Sequence, residues 1–318
     1  MPAPERAASR RRRRAAVLGP PGGAGPAANT AGVATGIVLD ASPHLLILGN
    51  SDGETRLAMS DATTVWHGGH ADPAALRPGR PVIARLTDAG RGAEKVWVGI
   101  SRVSGTILTC GRDAVEVDMG PHRGRAHVAI PPRVREQVLV RHPRLEPGYL
   151  IDVICVRSPG GPRAVRPGTS QPGYRADGLA APAATAPVPE VLRGTATWFG
   201  DCAEGESAPD GAAYPAVDSE GDAGGCADAP SGCVAFPYLS LGSDVAVRNE
   251  CGGRAATIPV VECGCMAARF CDRCVDCDAS PRGRIVELSP AAFARLGGEL
   301  ESGCFNAAVR PAGRATSW

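Results

Sequence analysis

The sequence predicts a mainly β protein made of two tandem small modules, a Pro/Gly-rich linker and a cysteine-rich C-terminal β domain. A chain of 318 residues is long enough for two or three domains. With 41 Gly, 29 Pro and only 4% aromatic residues, it favours short strands joined by turns over long helices. Ten of its twelve cysteines follow residue 200, which marks the last third as a separate domain.

Residues 1–32 are predicted to be a disordered basic tail. The arginine run Arg10–Arg14 is followed only by Ala15–Gly19 before two prolines. This apolar stretch is too short for a signal-peptide core or a membrane span. The alternatives are a misassigned start or an unusual export signal, and no other stretch is predicted to cross a membrane.

Two small β-barrel modules of OB type are predicted over 33–102 and 103–157. Short apolar runs alternate with turns, and Asp52-Gly53 is typical of a hairpin. The segment Gly105–Leu108 repeats the pattern of Gly36–Leu39, which indicates a second copy.

Trp66 and Trp97 fall in the first of these copies. Isolated aromatic residues in small barrels usually pack inside, so both are predicted to lie in the core rather than to form a ligand platform.

Residues 158–190 are rich in Pro, Gly and Ala and are predicted to be an extended linker. Because exposed unstructured segments are cut first, limited proteolysis is expected there and should release a stable C-terminal fragment.

The domain at 191–312 contains a strand that runs directly into a helix. Ser289 is placed to cap this helix, Pro290 to occupy its first turn, and Gly297 to end it. The domain has no histidine, so any chemistry in it must use carboxylates or thiols.

Three ordered segments of this domain resemble the double-psi β-barrel of the rare-lipoprotein-A and expansin family. They are Gly-Thr-Ala-Thr-Trp-Phe-Gly at 194–200, the segment at 235–245, and Ile-Val-Glu-Leu-Ser-Pro-Ala-Ala-Phe at 285–293. The resemblance covers about 120 residues and implies a six-stranded barrel with one or two short helices. It also implies that the chain binds or cleaves a cell-wall glycan, because the cleaving bacterial members are lytic transglycosylases acting on peptidoglycan.

The resemblance singles out Glu262 and Glu287 as candidate catalytic carboxylates at one groove. Glycan cleavage needs an acid that protonates the leaving oxygen. Glu262 ends an apolar strand, where burial would raise its pKa. Glu287 precedes a helix N-terminus, whose dipole favours the ionised form. However, Phe236 stands where cleaving members carry histidine, which favours binding without cleavage and leaves enzymatic activity undecided.

The alternative is that both glutamates only form ion pairs with arginines of the same domain, such as Arg248, Arg254 or Arg284. Four aromatic residues are candidates for stacking on sugar rings, with core packing as the alternative for each. They are Trp198, Phe199, Phe236 and Tyr238.

The ten cysteines of the last third are predicted to form disulfides in an oxidising compartment. They are Cys202, Cys226, Cys233, Cys251, Cys263, Cys265, Cys271, Cys274, Cys277 and Cys304. The rival interpretation is a zinc-binding interaction module, because the Cys-x2-Cys spacing suits a tetrahedral site. Its ligands would be Cys265, Cys271, Cys274 and Cys277.

Charge separates the two parts of the chain. After residue 190 there are 17 acidic residues against 10 arginines, whereas the first 190 residues carry 16 acidic against 24 basic. An acidic C-terminal domain argues against nucleic acid as its partner. We therefore expect an extracytoplasmic, monomeric protein that binds wall polysaccharide and needs no cofactor.

Overall fold

The computed structural model describes residues 31–87, 90–170, 173, 175–176, 190–200, 210–217, 234–264, 266–274 and 283–311. Over these residues the chain is mainly β, with short helices only. None of the described helices is long and apolar enough to cross a bilayer. The predicted tail at 1–32 lies almost wholly outside the described residues.

The first module is a seven-stranded sheet in the order β3-β2-β1-β6-β7-β4-β5. Its strands are β1 (Val33–Ser42), β2 (Leu45–Asn50), β3 (Gly53–Ala58), β4 (Thr64–Trp66), β5 (His70–Ala71), β6 (Pro81–Leu86) and β7 (Ala93–Val98). The predicted hairpin joins β2 and β3, and Gly53 adopts the positive φ of 120° that this turn requires. Trp66 and Trp97 are buried, as predicted.

The prediction of a closed barrel for 33–102 is wrong. A closed barrel would need β3 to pair along the free edge of β7. The strand β4 occupies that edge instead, where it pairs with β7 in parallel. A single bridge between Ala58 and Gly92 is what connects the end of β3 to the start of β7. The module is therefore a seven-stranded sheet over the described residues and not a closed barrel.

The second module is a closed five-stranded barrel in the order β10-β12-β11-β8-β9. Its elements are β8 (Ile100–Cys110), β9 (Ala114–Asp118), β10 (Arg125–Ala129), helix α1 (Pro132–Arg141), β11 (Leu150–Ser158) and β12 (Gly161–Pro167). The closed barrel was predicted, but its C-terminal boundary at 157 was placed too early.

The first part of the predicted linker is thus folded. The strand β12 pairs antiparallel with β11 and in parallel with β10, and so fills the gap that would otherwise leave the barrel open. Thr169, just beyond it, is buried. The glycines and prolines that suggested a linker belong in part to the tight turn between β11 and β12, where Gly161 has a φ of 99°. Residues 177–189 of the predicted linker lie outside the described residues.

The third module is a closed six-stranded barrel in the order β13-β17-β14-β16-β15-β18, which confirms the predicted six strands. Its elements are β13 (Leu192–Trp198), β14 (Ala212–Tyr214), β15 (Asp244–Asn249), β16 (Ala255–Cys263), β17 (Arg284–Leu288), helix α2 (Pro290–Arg295) and β18 (Cys304–Pro311). Two pairs, β13 with β17 and β14 with β16, run parallel among otherwise antiparallel neighbours.

The three modules are packed together. One continuous apolar cluster contains Trp97 of the sheet, Ile154 of the second barrel and Phe293 of the third. At its edge Lys95 forms ion pairs with Glu299 and Glu301 of the third module. The C-terminal barrel is therefore not an independent body at the end of a long tether.

Candidate functional site

Glu262 and Glu287 come together at the short strand β14. Ala213 in β14 is paired with Glu262 in β16 on one side and with Glu287 in β17 on the other. Residues paired across neighbouring strands project from the same face of a sheet. The two carboxylates therefore lie on one face of the barrel, on either side of Ala213.

An arginine of the second barrel lies between the two carboxylates. Nε of Arg123 donates to Oε1 of Glu262 at 3.0 Å, and Nη1 donates to Oε2 of Glu287 at 2.7 Å. Only about 10 Å³ of empty space remains around the pair, closed in part by Met119 and Pro121. The Glu262 side chain is 18% exposed and that of Glu287 only 1%. Among the residues that the structure describes, no open groove passes directly over the acids.

Glu287 also belongs to a buried charge network centred on Arg284. Nη1 of Arg284 donates to Oε1 of Glu287 at 2.9 Å, and Nη2 donates to Asp152 at 2.6 Å and Asp272 at 2.5 Å. The ring of Phe270 lies 3.8 Å from the guanidinium carbon of Arg284. The expected ion pair between Glu287 and Arg284 is present, whereas Glu262 pairs with an arginine of another module.

Counting only described residues, three arginines face four carboxylates in this network. The members are Arg102, Arg123, Arg284, Asp152, Asp272, Glu262 and Glu287. Burial raises the pKa of Asp272 and outweighs the attraction of Arg284. A proton on Asp272 would bring the network to zero net charge, which is the least costly state for buried ions.

Glu287, in contrast to Asp272, favours its ionised form. Burial alone would raise its pKa, but the charges of Arg123 and Arg284 outweigh burial and hold the pKa below its usual range. The carboxylate is therefore ionised at neutral pH and cannot donate a proton there. The ionised state agrees with the preference predicted from the dipole of the helix that follows Glu287.

A much larger cavity, of about 920 Å³, opens beside this network. All three modules contribute to its walls, including Arg80 from the first, Arg125 from the second and Phe199 from the third. Arg123 reaches into both cavities and so separates the acids from the larger one.

The four candidate stacking residues are in different surroundings. Trp198 and Phe199 line the large cavity but are buried, each beneath an arginine, and Trp198 donates to the backbone oxygen of Leu300. Phe236 packs edge-on against Tyr214 at 5.8 Å between ring centroids. Tyr238 is 64% exposed and lines neither cavity. Of these four residues, only Phe199 lines the large cavity, lies close to the acids and has no hydrogen bond that fixes its side chain.

The cysteines bear on the zinc alternative. Cys251, Cys263 and Cys271 are each disulfide-bonded. A disulfide sulfur is not a thiolate ligand, so the zinc site loses Cys271. Cys274 and Cys304 are buried. Of the other predicted disulfide and zinc positions, Cys202, Cys226, Cys233, Cys265 and Cys277 lie outside the described residues.

Among the described residues, no group of three or more potential ligands is arranged to hold a metal ion. Cys110 and Cys155, both in the second barrel, carry free thiols rather than pairing with each other.

Comparisons with known proteins do not place the chain in a family. No protein-family model matches it, and no curated protein matches it. A solved structure titled "drosophila Unr CSD456" is similar at 15% sequence identity, with a TM-score of 0.18, over 52% of this chain and 70% of that chain. A score this low does not establish a shared fold.

Sequence reasoning missed the residues that surround the two glutamates. Arg123 lies in a turn of the second barrel, 139 positions from Glu262, and Asp152 is 132 positions from Arg284. Asp152 does carry one signal, because it interrupts an otherwise apolar strand, Leu150–Val156, that reads as buried. A lone carboxylate in such a strand indicates a buried cation, although it does not identify which one.

Proposed function

We propose that this chain binds a wall polysaccharide outside the cytoplasm, through a C-terminal barrel of the double-psi type and without cleaving it. The two small N-terminal modules would complete the binding site, and we assign the second of them, a closed five-stranded barrel, to the OB type. One observation carries the proposal. Glu262 and Glu287 lie on either side of Ala213, and the large cavity opens beside them.

The geometry favours binding over cleavage. Both acids are held by Arg123, and the lowered pKa of Glu287 keeps it ionised. A general acid must carry a proton in reach of the leaving oxygen. Phe236, which replaces the family's histidine, packs against Tyr214 and cannot relay a proton.

The cavity is large enough for two or three sugar rings, since ligand pockets of about 300–1,000 Å³ hold drug-sized molecules. The polysaccharide would lie along this cavity, whose wall includes Arg123 but neither acid. Glu262, which retains some exposure beside Arg123, would accept hydrogen bonds from sugar hydroxyls that extend past that arginine.

The test is a pull-down on purified peptidoglycan, cellulose and chitin, with product analysis of the peptidoglycan arm. Wild type should bind at least one polymer and release no anhydro-muropeptides. Glu262→Gln should weaken binding by about 1 kcal/mol, roughly fivefold, through lost charge-assisted hydrogen bonds.

Glu54→Gln is the matched control, because Glu54 also loses an arginine partner, Arg56, but lies in the distant β2–β3 hairpin. Binding of the control should equal that of wild type. Release of anhydro-muropeptides by wild type but not by Glu262→Gln would show a lytic transglycosylase instead. Failure to bind all three polymers would refute the proposal.

A further inference from the structure

The strand β3 forms one edge of the first module. It stands at the end of the sheet order, and β2 is its one strand neighbour among the described residues. The connection between β6 and β7 reaches β3 only at Ala58, whose backbone N–H donates to the backbone oxygen of Arg91 at 2.9 Å. Within the described part of the chain, the outer edge from Gly53 to Leu57 is therefore unpaired. An open strand edge is a template for another strand.

The hydrogen-bonding phase of β3 decides which groups this edge presents. The N–H of Ala58 points away from β2, and the backbone groups of an antiparallel pair alternate in direction from one residue to the next. The N–H and C=O groups of Glu54 and Arg56 therefore also point outward. Those of Thr55 and Leu57 point towards β2 instead.

The side chains of Glu54 and Arg56 carry opposite charges on one face of the sheet. They pair with Gly49 and Ile47 of β2, on the face opposite to the buried Leu57. Nε of Arg56 donates to Oε1 of Glu54 at 2.7 Å, but the two side chains are 69% and 45% exposed. An ion pair this exposed is weak and can rearrange at little cost.

Thr55 is the centre of the free edge. When two such edges pair antiparallel with one Thr55 opposite the other, Glu54 of each copy faces Arg56 of the second copy. The outward backbone groups of these residues then face each other as well. Shifting the register by one step of the same hydrogen-bonding phase would place two copies of Glu54, or two copies of Arg56, opposite each other. Edge length, backbone phase and charge thus select the same register.

We propose that β3 pairs antiparallel with β3 of a second copy of this chain, about a two-fold axis at Thr55. The backbone groups of Glu54 and Arg56 bond to those of Arg56 and Glu54 in the second copy, and the charged side chains alternate in sign across the axis. The sheet of the first module then continues from one copy into the next. This departs from the monomer expected from the sequence, which does not show that β3 ends its sheet.

The inference does not depend on the proposed function. Among the described residues, none from β2 or β3 lines either cavity. The interface is small, so the dimer is weak and the chain is monomeric at the concentration of about 1 µM that suits a pull-down. Glu54→Gln therefore remains a valid control for polysaccharide binding.

The first measurement is sedimentation of the full chain from about 5 to about 500 µM, the range in which a small interface associates. Wild type should pass reversibly from monomer to dimer. Amide hydrogen exchange at both ends of this range locates the interface. The N–H groups of Glu54 and Arg56 should exchange more slowly in the concentrated sample, whereas those of Thr55 and Leu57, already bonded to β2, should not change.

Charge reversal tests the register. Glu54→Arg places arginines opposite each other, and Arg56→Glu places glutamates opposite each other, so each should weaken the dimer by at least about tenfold. An equimolar mixture of the two variants should associate again, because every arginine of one chain then faces a glutamate of the other. Recovery in the mixture also shows that both variants are folded.

The matched controls are Glu136→Arg and Arg133→Glu. Both residues are exposed on helix α1 of the second barrel, so the same changes of net charge are made away from the edge. These variants should dimerise like wild type, separately and when mixed.

Three results would overturn the proposal. The first is a wild-type chain that stays monomeric throughout the concentration range. The second is a dimer that Glu54→Arg or Arg56→Glu retains in full, or that protects amides elsewhere but not at Glu54 and Arg56, since the interface would then lie on another surface. The third is loss of the dimer in both variants without recovery in their mixture.

Discussion

Arg284 shows how single residues join the modules. It is fully buried in the third module, yet one of its strongest partners, Asp152, belongs to the second. Burial would raise the pKa of Asp152, but Arg102 and Arg284 outweigh burial and hold it well below its usual range. Each charge in the network is tolerable only because another module supplies its counter-charge.

His142 borders this network and makes stability depend on pH. It is 1% exposed, and burial, together with the charge of Arg284, lowers its pKa from 6.5 to about 4 despite the attraction of Asp152. Between these two values the unfolded chain binds a proton that the folded chain does not. The free energy of unfolding should therefore fall as the pH drops from about 6.5 towards 4, by up to about 3 kcal/mol.

Urea unfolding at pH 7, 6, 5 and 4.5 measures this effect. His142→Gln cannot titrate, so its stability should fall less over the same range. The control, His44→Gln, alters an exposed histidine and should keep the wild-type dependence. Asp272, whose pKa is raised, contributes equally to both proteins and cancels in the comparison. Parallel curves for wild type and His142→Gln would contradict the assignment.

The helix α2 is the element most dependent on one side chain. It has six residues, too few to be stable alone, and begins directly after the strand that carries Glu287. Oγ of Ser289 accepts from the backbone N–H of Ala292 at 3.1 Å and donates to Asp210 at 2.7 Å. The cap thus fixes both the helix and the end of β17.

Ser289→Ala should lower the free energy of unfolding by about 1–2 kcal/mol, because the helix loses its cap. Ser51→Ala, in the exposed hairpin turn, should change it by less than about 0.5 kcal/mol. Chemical denaturation of both variants beside wild type gives the comparison. A loss no larger at Ser289 than at Ser51 would show that the helix does not need its cap.

At the scale of the whole molecule, the three modules pack against one another. The apolar cluster that joins Trp97, Ile154 and Phe293 is continuous, and Arg102 donates to the backbone oxygen of Gly303. This packing changes the expectation for proteolysis, since a cut between the second and third modules would not free a self-sufficient barrel.

A C-terminal fragment beginning at Glu190 should be less stable than the same residues in the full chain. Without Asp152, the buried charge of Arg284 loses a partner, and breaking a buried pair costs about 3–5 kcal/mol. After a proteolytic cut, both fragments should co-elute in gel filtration and separate in urea. A purified fragment with the denaturation midpoint of the full chain would contradict this account.

The sequence by itself determined the features that depend on neighbouring residues. The hairpin at Gly53 follows from turn chemistry. The burial of Trp97 follows from the usual packing of isolated aromatic residues in small β modules, and the Ser289 cap follows from the side chain's position before Pro290. The meeting of Glu262 and Glu287 was implied by the resemblance to the double-psi barrel family, which places two acids at one groove.

Only the tertiary structure decided what surrounds those glutamates. Three contacts join residues from different strands or modules. They are the bond of Arg123 to Glu262, the closure of the second barrel by β12 and the pairing of Asp152 with Arg284. The first and last of these contacts span more than 130 positions. Contacts between residues so far apart in sequence leave no periodic pattern in the chain. Only the charged ends of the two side chains meet, and they meet only because two folded modules pack together.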